Sequence, residues 1–265
     1  MKQRKISQLR KWIENKEGVF LSSYLKKQGI PNSSIQSYYK KGQIKSLGYG
    51  AWYFGEGKPN LFEGISALQY QSRVPVHIGG LSSLILQGKT HYVYLNPKII
   101  ELFTPIDVDL PQWFLNHHWD IEIDYVKTSF LPKGLGLHGY QKDNISILKS
   151  SKERAYFESL YLTPKRSDLY EVFQNMEMLW GNKVDIPLIQ QLLENCRSIK
   201  VKRLFLCFAD YINHSWFQKL DLEKIYLGKG YCDVIHGGTY EPKYKVSIPS
   251  ELYRTEMNTE GGIIW

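Results

Sequence analysis

The first 55 residues change their apolar period within a length that only very short elements can fill. Three apolar sets at helical spacing are followed by two strand-like runs around a glycine-rich turn. The helical sets lie in residues 6–13, 20–25 and 30–42, and the strand-like runs lie in residues 44–47 and 51–54. Few folds accept three short helices and then a hairpin. This order predicts a helix-turn-helix with a wing.

The third helix of this segment divides into an apolar face and a polar face. We expect Ile35, Tyr38 and the ring of Tyr39 to pack inward, which leaves a set of short polar and cationic side chains outside. Ser and Gln side chains reach base edges in a major groove, and Lys side chains neutralise phosphates. The predicted DNA-binding residues, including those before the first helix and on the wing, are Arg4, Lys5, Ser33, Ser34, Gln36, Ser37, Lys40, Lys41, Lys45 and Tyr49.

The positive charge of the chain is confined to this segment. The whole protein has a net charge of +8, but residues 1–55 hold 11 Lys and Arg against 2 Glu, which is a net charge of +9. The other 210 residues hold 23 basic and 24 acidic side chains, a net charge of −1. An anionic partner such as DNA is therefore expected for the first fifth of the chain alone.

Several classes of protein are excluded by the same reading. The basic start runs into further charged residues without the apolar stretch of an export signal, and no stretch approaches the roughly 20 apolar residues of a membrane helix. Cys196, Cys207 and Cys232 are too widely spaced for a zinc ribbon or a disulfide framework, and Cys207 is expected to fill the core. We expect a cytoplasmic protein without membrane contact.

The remainder of the chain mixes strand and helix patterns. Residues 55–60 are rich in Gly and Pro, so we place a boundary there, between a DNA-binding domain at 1–55 and a mixed domain at 56–265. The predicted strands are 91–95, 121–126, 145–149 and 244–248, and the predicted helices are 151–163, 167–180, 187–195 and 199–213. Ser150 and Glu153 suggest a capping box for the first of these helices. The fold class is α+β, an N-terminal winged helix-turn-helix followed by a larger mixed domain.

A second cationic run lies within this nearly neutral domain. Its members are Arg197, Lys200, Lys202 and Arg203. One interpretation is a helix surface balanced by nearby acids. The other is a second anionic contact, to flanking DNA or to an RNA-like feature.

Ordered blocks along most of the chain resemble the AbiEi-type antitoxins, which regulate type IV toxin–antitoxin systems. The blocks are Tyr38-Tyr39-Lys40-Lys41-Gly42, Leu47-Gly48-Tyr49-Gly50-Ala51-Trp52-Tyr53, residues 79–88, Ser151-Lys152-Glu153-Arg154-Ala155, residues 200–206, residues 227–230 and residues 244–249. The resemblance implies an autorepressor that binds inverted repeats in operator DNA upstream of its operon. It also implies a C-terminal domain that counteracts a nucleotidyltransferase-like toxin, either without a stable complex or, as proposed for some relatives, through contact with the toxin. The wing differs from the usual pattern at Tyr49, where a basic residue is common.

Carboxylates in the larger domain leave a catalytic alternative open. Asp120, Glu122 and Asp124 alternate along a predicted strand and could hold a metal. An acidic solvent face is the preferred interpretation, because no histidine or second carboxylate cluster is an obvious partner for them. Asp107 and Asp109 resemble paired nucleotidyltransferase aspartates, but the nearest Gly-Gly is too far upstream. A metal-dependent nuclease or nucleotidyltransferase, carried to DNA by the winged helix, is the alternative function. A third is a repressor whose larger domain senses a ligand. We expect no catalytic activity, cofactor or metal.

Overall fold

The computed structural model describes residues 18–54, 57–88, 98–142, 144–179 and 184–252. The chain divides into two compact units, each built from separate stretches of sequence. The first comprises residues 1–77, 98–127 and 139–148, and the second comprises residues 78–97, 128–138 and 149–265. Within the described ranges, no helix is both long enough and apolar enough to cross a membrane.

The described part of the N-terminal segment is a winged helix-turn-helix. Its elements are β1 (Val19–Leu21), α1 (Ser22–Lys27), α2 (Asn32–Lys40), β2 (Lys45–Gly48) and β3 (Ala51–Tyr53). The three strands form an antiparallel sheet in the order β1-β3-β2. Six side chains form a small apolar core under the two helices, and these are Phe20, Leu25, Ile30, Ile35, Ile44 and Trp52.

The second predicted helix of this segment begins later than expected, at Ser22. Phe20 and Leu21 are not the start of a helix as predicted; they lie in β1, which pairs with β3 through Phe20 opposite Trp52 and Leu21 opposite Ala51. The apolar run suited both structures, and the pairing with a strand 30 residues away decides between them. The predicted first helix, residues 6–13, lies outside the described residues.

A short helical segment follows the wing. Asn60 caps α3 (Leu61–Ser66) with a full capping box, because its side chain accepts from Glu63 N and the Glu63 carboxylate accepts from Asn60 N. The helix continues as a π-helical turn, Ala67–Gln71. Such turns are rare and often found at functional positions.

A five-stranded sheet is the main β structure of the remaining chain. Its strands are β4 (His77–Ile78), β5 (Ile99–Thr104), β6 (Glu122–Lys127), β7 (Leu137–Lys142) and β8 (Ile145–Ser150), in the order β6-β5-β4-β8-β7. β5 and β6 run parallel, as do β4 and β8. A separate antiparallel pair is formed by β9 (Thr239–Glu241) and β10 (Val246–Ile248).

Helices supply most of the core of the second unit. They are α4 (Gly80–Leu86), α6 (Lys152–Leu162), α7 (Leu169–Leu179), α8 (Ile186–Asn195) and α9 (Ile199–Tyr211), while the short α5 (Gln112–Leu115) belongs to the first unit. The side chains of α9 from Val201 to Ala209 are buried, and Cys207 fills the core as expected. The serine that caps α6 is Ser151, whose hydroxyl accepts from Arg154 N, rather than Ser150.

Two of the four strands predicted for residues 56–265 agree with the structure. The observed strands at 122–127 and 145–150 begin within one residue of the predicted ones. The last predicted strand is shorter, because Lys245 has a positive φ of 52° in the turn before β10. The predicted strand at 91–95 lies outside the described residues. The strand β7 was not predicted, since its sequence, Leu-His-Gly-Tyr-Gln-Lys, is largely polar and exposed.

Candidate nucleic-acid interface

The helix α2 is bounded by residues that match its two ends. Pro31 precedes it with an extended backbone, and Gly42 follows its last turn with a φ of +70° and donates to Tyr39 O. Ile35 is buried, and Tyr38 is half-buried against the small core. These two contacts fix which face of α2 meets the solvent.

The exposed face of α2 is the polar set expected from its sequence. Ser33, Gln36, Ser37 and Lys40 follow one another at intervals of three, one and three residues, so they lie on one side of the helix. All four are exposed, Ser34 is half-buried at the margin, and Lys41 is exposed just beyond the helix end. This face offers hydrogen-bonding groups for base edges beside two cations for phosphates.

The described part of the winged helix-turn-helix has positive side chains and no negative side chain to offset their charge. Residues 18–54 contain no Asp or Glu. They contain five lysines, all exposed, which are Lys26, Lys27, Lys40, Lys41 and Lys45. A surface of this kind attracts a polyanion whatever its sequence.

The wing presents two further predicted residues. Lys45 is exposed at the start of β2, with Nζ 5.9 Å from the centre of the Tyr53 ring. Tyr49 is 75% exposed at the tip of the hairpin. Arg4 and Lys5 lie outside the described residues, so their positions stay predictions.

Tyr39 departs from its expected inward position. Its ring is 48% exposed and meets the edge of the Trp52 ring, with 5.3 Å between ring centres. Trp52 Nε1 also donates to Ser22 Oγ at 2.7 Å. Trp52 therefore ties α2, the start of α1 and the wing strand β3 together.

The second cationic run is arranged differently from a surface run. Arg197 is exposed, but Lys202 and Arg203 are 4% and 2% exposed. Arg203 donates from Nε to Leu227 O and from Nη1 to Lys245 O, both at 2.8 Å. The side chain of Lys202 donates to Tyr226 O.

Lys200 completes this inward arrangement. Its Nζ donates to Tyr161 O at 2.8 Å and to Thr163 O, so it caps the carboxyl end of α6. Burial lowers the pKa of both Lys200 and Lys202 below the usual value. Of the four residues expected to contact an anion, only Arg197 is exposed. The side chains of the other three donate hydrogen bonds to backbone carbonyls.

The carboxylates of the catalytic alternative are placed apart from any metal-binding arrangement. Asp109 pairs with Lys127 at 2.5 Å, and Asp120 accepts from Leu61 N at 3.2 Å. Glu122 and Asp124 lie in β6, and Asp107 precedes the Asp109 ion pair by two residues. Among the residues that the structure describes, no three His, Cys, Asp or Glu side chains group closely enough to hold a metal ion.

Sequence reasoning missed the side chain that attaches the winged helix-turn-helix to the segment after it. Gln71 accepts from Leu21 N at 2.9 Å and donates to Val19 O at 2.7 Å, so its amide occupies the open edge of β1 as a neighbouring strand would. Two residues earlier, Gln69 makes the corresponding contacts with Leu148 N and O of β8. No local pattern distinguishes these two glutamines from exposed ones.

Glu158 was also missed, although a signal for it existed. It is fully buried in α6, where it receives hydrogen bonds from Arg154 Nε and the Ser150 hydroxyl at 2.7 Å and from Gly80 N at 3.0 Å. The i,i+4 spacing of Arg154 and Glu158 could have suggested their pairing. Two of the sequence blocks quoted for the resemblance, residues 79–88 and 151–155, meet at this carboxylate.

Comparison with a solved structure supports the fold. The chain is similar to the crystal structure of the Rv2827c protein from Mycobacterium tuberculosis, with a TM-score of 0.59 and 12% sequence identity. The match covers 94% of this chain and 92% of that one. At this identity, the likeness concerns the fold alone. No curated protein sequence matches the chain.

Family descriptions match almost the full length of the chain. Residues 2–95 match the N-terminal domain of the transcriptional regulator AbiEi antitoxin. Residues 97–249 match the transcriptional regulator AbiEi antitoxin of type IV toxin–antitoxin systems. The chain therefore belongs to the AbiEi antitoxin family of transcriptional regulators from type IV toxin–antitoxin systems.

Proposed function

We propose that this regulator represses its own operon by binding inverted repeats in the upstream DNA through its winged helix-turn-helix. The observation that carries the proposal is the exposed face of α2, where Ser33, Gln36, Ser37 and Lys40 stand on one side of the helix. In this proposal α2 enters the major groove, Gln36 and the serines contact base edges, and Lys40 and Lys41 contact phosphates. The acid-free surface around them favours the approach of DNA.

We assign the two proposed functions to two parts of the chain according to their net charge. Residues 1–55 bind the operator, and residues 56–265 counteract a nucleotidyltransferase-like toxin encoded with the regulator. Family membership supports the antitoxin role, and the near-neutral charge of residues 56–265 supports a partner other than DNA for this part. We propose that residues 56–265 act in the cytoplasm, without catalysing a reaction and without forming a stable complex with the toxin.

A salt titration of DNA binding tests the operator proposal. The full chain is titrated against its own upstream DNA by fluorescence anisotropy at several salt concentrations. If about five phosphates are neutralised, the log-log slope of affinity against salt is about −4 to −5. A slope near zero, or equal affinity for unrelated DNA, contradicts the proposal.

A variant pair shows whether α2 does the reading. Gln36→Ala with Ser37→Ala should lower the preference for the operator over unrelated DNA by about 1–3 kcal/mol for each base that the truncated side chains no longer reach. The matched control, Ser146→Ala with Gln191→Ala, removes the same two residue types from exposed positions outside the winged helix-turn-helix. The control should bind as the unmodified protein does.

The antitoxin proposal needs a separate test in cells. Co-expression with the toxin gene that neighbours the regulator should restore growth, and it should do so equally with the Gln36→Ala and Ser37→Ala variant. Size-exclusion chromatography of the two purified proteins should show separate peaks. Failure to restore growth contradicts the antitoxin role, whereas a shared peak contradicts only the absence of a stable complex.

A further inference from the structure

The tip of the wing is a two-residue turn whose first residue is unusual. The pairing of Gly48 with Ala51 leaves Tyr49 and Gly50 as the turn, and both have positive φ, at 50° and 80°. Positive φ at both central residues is the type I′ pattern, for which Asn-Gly is the favoured pair. A bulky side chain at the first position is strained.

The tip is held in place from both sides despite this strain. Gly48 N donates to Ser46 Oγ at 2.9 Å, and Ser22 N donates to Gly50 O at 2.8 Å. The Ser22 hydroxyl also accepts from Trp52 Nε1, and the Trp52 ring touches Tyr39 of α2. The wing tip and α2 are therefore held at a fixed separation.

The ring of Tyr49 is presented to solvent from this fixed turn. It is the most exposed of the large hydrophobic side chains in the described parts of the chain, at 75%. Its surroundings in residues 18–54 contain lysines and no acids. A positive φ at a tyrosine lowers the stability of the turn, and exposing its ring to water gives no compensating burial. Strained residues of this kind are found at functional sites, so we expect the Tyr49 ring to contact a binding partner.

We propose that Tyr49 enters the minor groove beside the α2 site and selects an A·T-rich segment there. The inference rests on the proposed function and adds the kind of sequence that the wing reads. In an A·T minor groove the phenol hydroxyl donates to adenine N3 or thymine O2, and the narrow walls enclose the ring. In a G·C groove the guanine 2-amino group occupies that place.

The decisive variant is Tyr49→Asn, because it removes the ring and supplies the residue that the turn prefers. We expect its Tm to rise while its affinity for the upstream DNA falls about tenfold, with the salt slope unchanged. Tyr49→Gly serves as a second variant with the same relief of strain. Tyr170→Asn is the matched control, since Tyr170 is an exposed tyrosine of α7, and it should leave the affinity unchanged.

The DNA is varied in parallel. Replacing the flanking A·T pairs by G·C should weaken binding of the unmodified protein about tenfold, and inosine·cytosine pairs should restore it, because inosine lacks the 2-amino group. The Tyr49→Asn protein should bind all three sequences equally.

Three results would overturn this inference while leaving operator binding intact. They are an unchanged affinity of Tyr49→Asn, a reduced affinity accompanied by a smaller salt slope, and a failure of inosine·cytosine pairs to restore binding. The second result would mean that the substitution acts by moving neighbouring lysines away from phosphates, since only cationic side chains contribute to the salt slope. If the unmodified protein itself does not bind its upstream DNA, the proposed function fails, and this inference fails with it.

Discussion

Two cationic regions of this protein use the same residue types for opposite purposes. In the winged helix-turn-helix, all five described lysines are exposed and no acid lies among them. In α9, Lys200, Lys202 and Arg203 turn inward and donate to backbone carbonyls. A count of charges treats the two regions alike, whereas the structure exposes the lysines of one region and buries Lys202 and Arg203 of the other.

The difference comes from what surrounds each cation. An exposed Lys keeps its hydration and its charge remains available to a phosphate. A buried guanidinium must find acceptors inside the protein, and the loop carbonyls of Leu227 and Lys245 supply them for Arg203. A cation bound in this way stabilises the fold, and its donor groups are not available to a ligand.

The largest expected effect is on the buried side of this comparison. Arg203→Ala removes two hydrogen bonds from a buried site, and Lys245 O keeps only its hydrogen bond from Cys232 N. We therefore expect the free energy of unfolding to fall by about 3 kcal/mol. Urea denaturation measures the change. Arg197→Ala, the exposed member of the same run, should stay within about 0.5 kcal/mol of the unmodified protein. Equal effects of the two variants would abolish the contrast.

The exposed side should show the reverse behaviour. Lys40→Ala with Lys41→Ala should weaken DNA binding roughly tenfold or more at 0.1 M salt and bring the salt slope about two units closer to zero. The free energy of unfolding should change by less than about 0.5 kcal/mol. Lys219→Ala with Lys229→Ala removes two exposed lysines of the second unit, and a comparable weakening of DNA binding there would contradict the assignment.

A neutral side chain should matter more to the stability of the winged helix-turn-helix than its lysines do. Gln71→Ala removes both hydrogen bonds to the edge of β1, so we expect the free energy of unfolding to fall by about 1–2 kcal/mol and hydrogen exchange at Leu21 N to become faster. Gln141→Ala removes an exposed glutamine of β7 and should change neither quantity. Unchanged exchange at Leu21 in the Gln71→Ala protein would show that β1 does not need this contact.

A buried lysine should also make the stability of the second unit depend on pH. Burial lowers the pKa of Lys149 from 10.5 to about 8, so the folded state binds fewer protons than the unfolded state between these values. Stability should therefore rise as the pH increases from about 8 towards 10.5. Lys149→Met should weaken this rise when Tm is measured across the range. An identical pH profile for the variant would remove Lys149 as its source.

Local chemistry explains what could be predicted. Helical spacing located α6 to α9 within a few residues, and the Gly-Tyr-Gly turn located the wing. The polar face of α2 followed from the positions of Ile35 and Tyr38, because side chains three residues apart share one side of a helix. Each of these features depends on neighbours within about a turn or a hairpin.

Contacts between distant residues explain what could not be predicted. Phe20 and Leu21 form a strand because they pair with β3. Gln71 accepts a hydrogen bond from Leu21 N, which lies 50 residues earlier in the chain. Arg203 reaches carbonyls 24 and 42 positions further along the chain. No local pattern encodes such partners, since the chain brings them together only when it folds.

The sequence by itself determined that the positive charge lies in the first fifth of the chain, that this segment forms a winged helix-turn-helix, and which face of α2 is polar. These properties depend on composition and on short-range spacing. The tertiary structure alone decided that the cations of α9 face inward, that Gln71 secures β1, and that Tyr39 remains partly exposed against Trp52. Burial decides the role of a polar side chain, because the acceptors and neighbours that burial supplies come from distant parts of the chain.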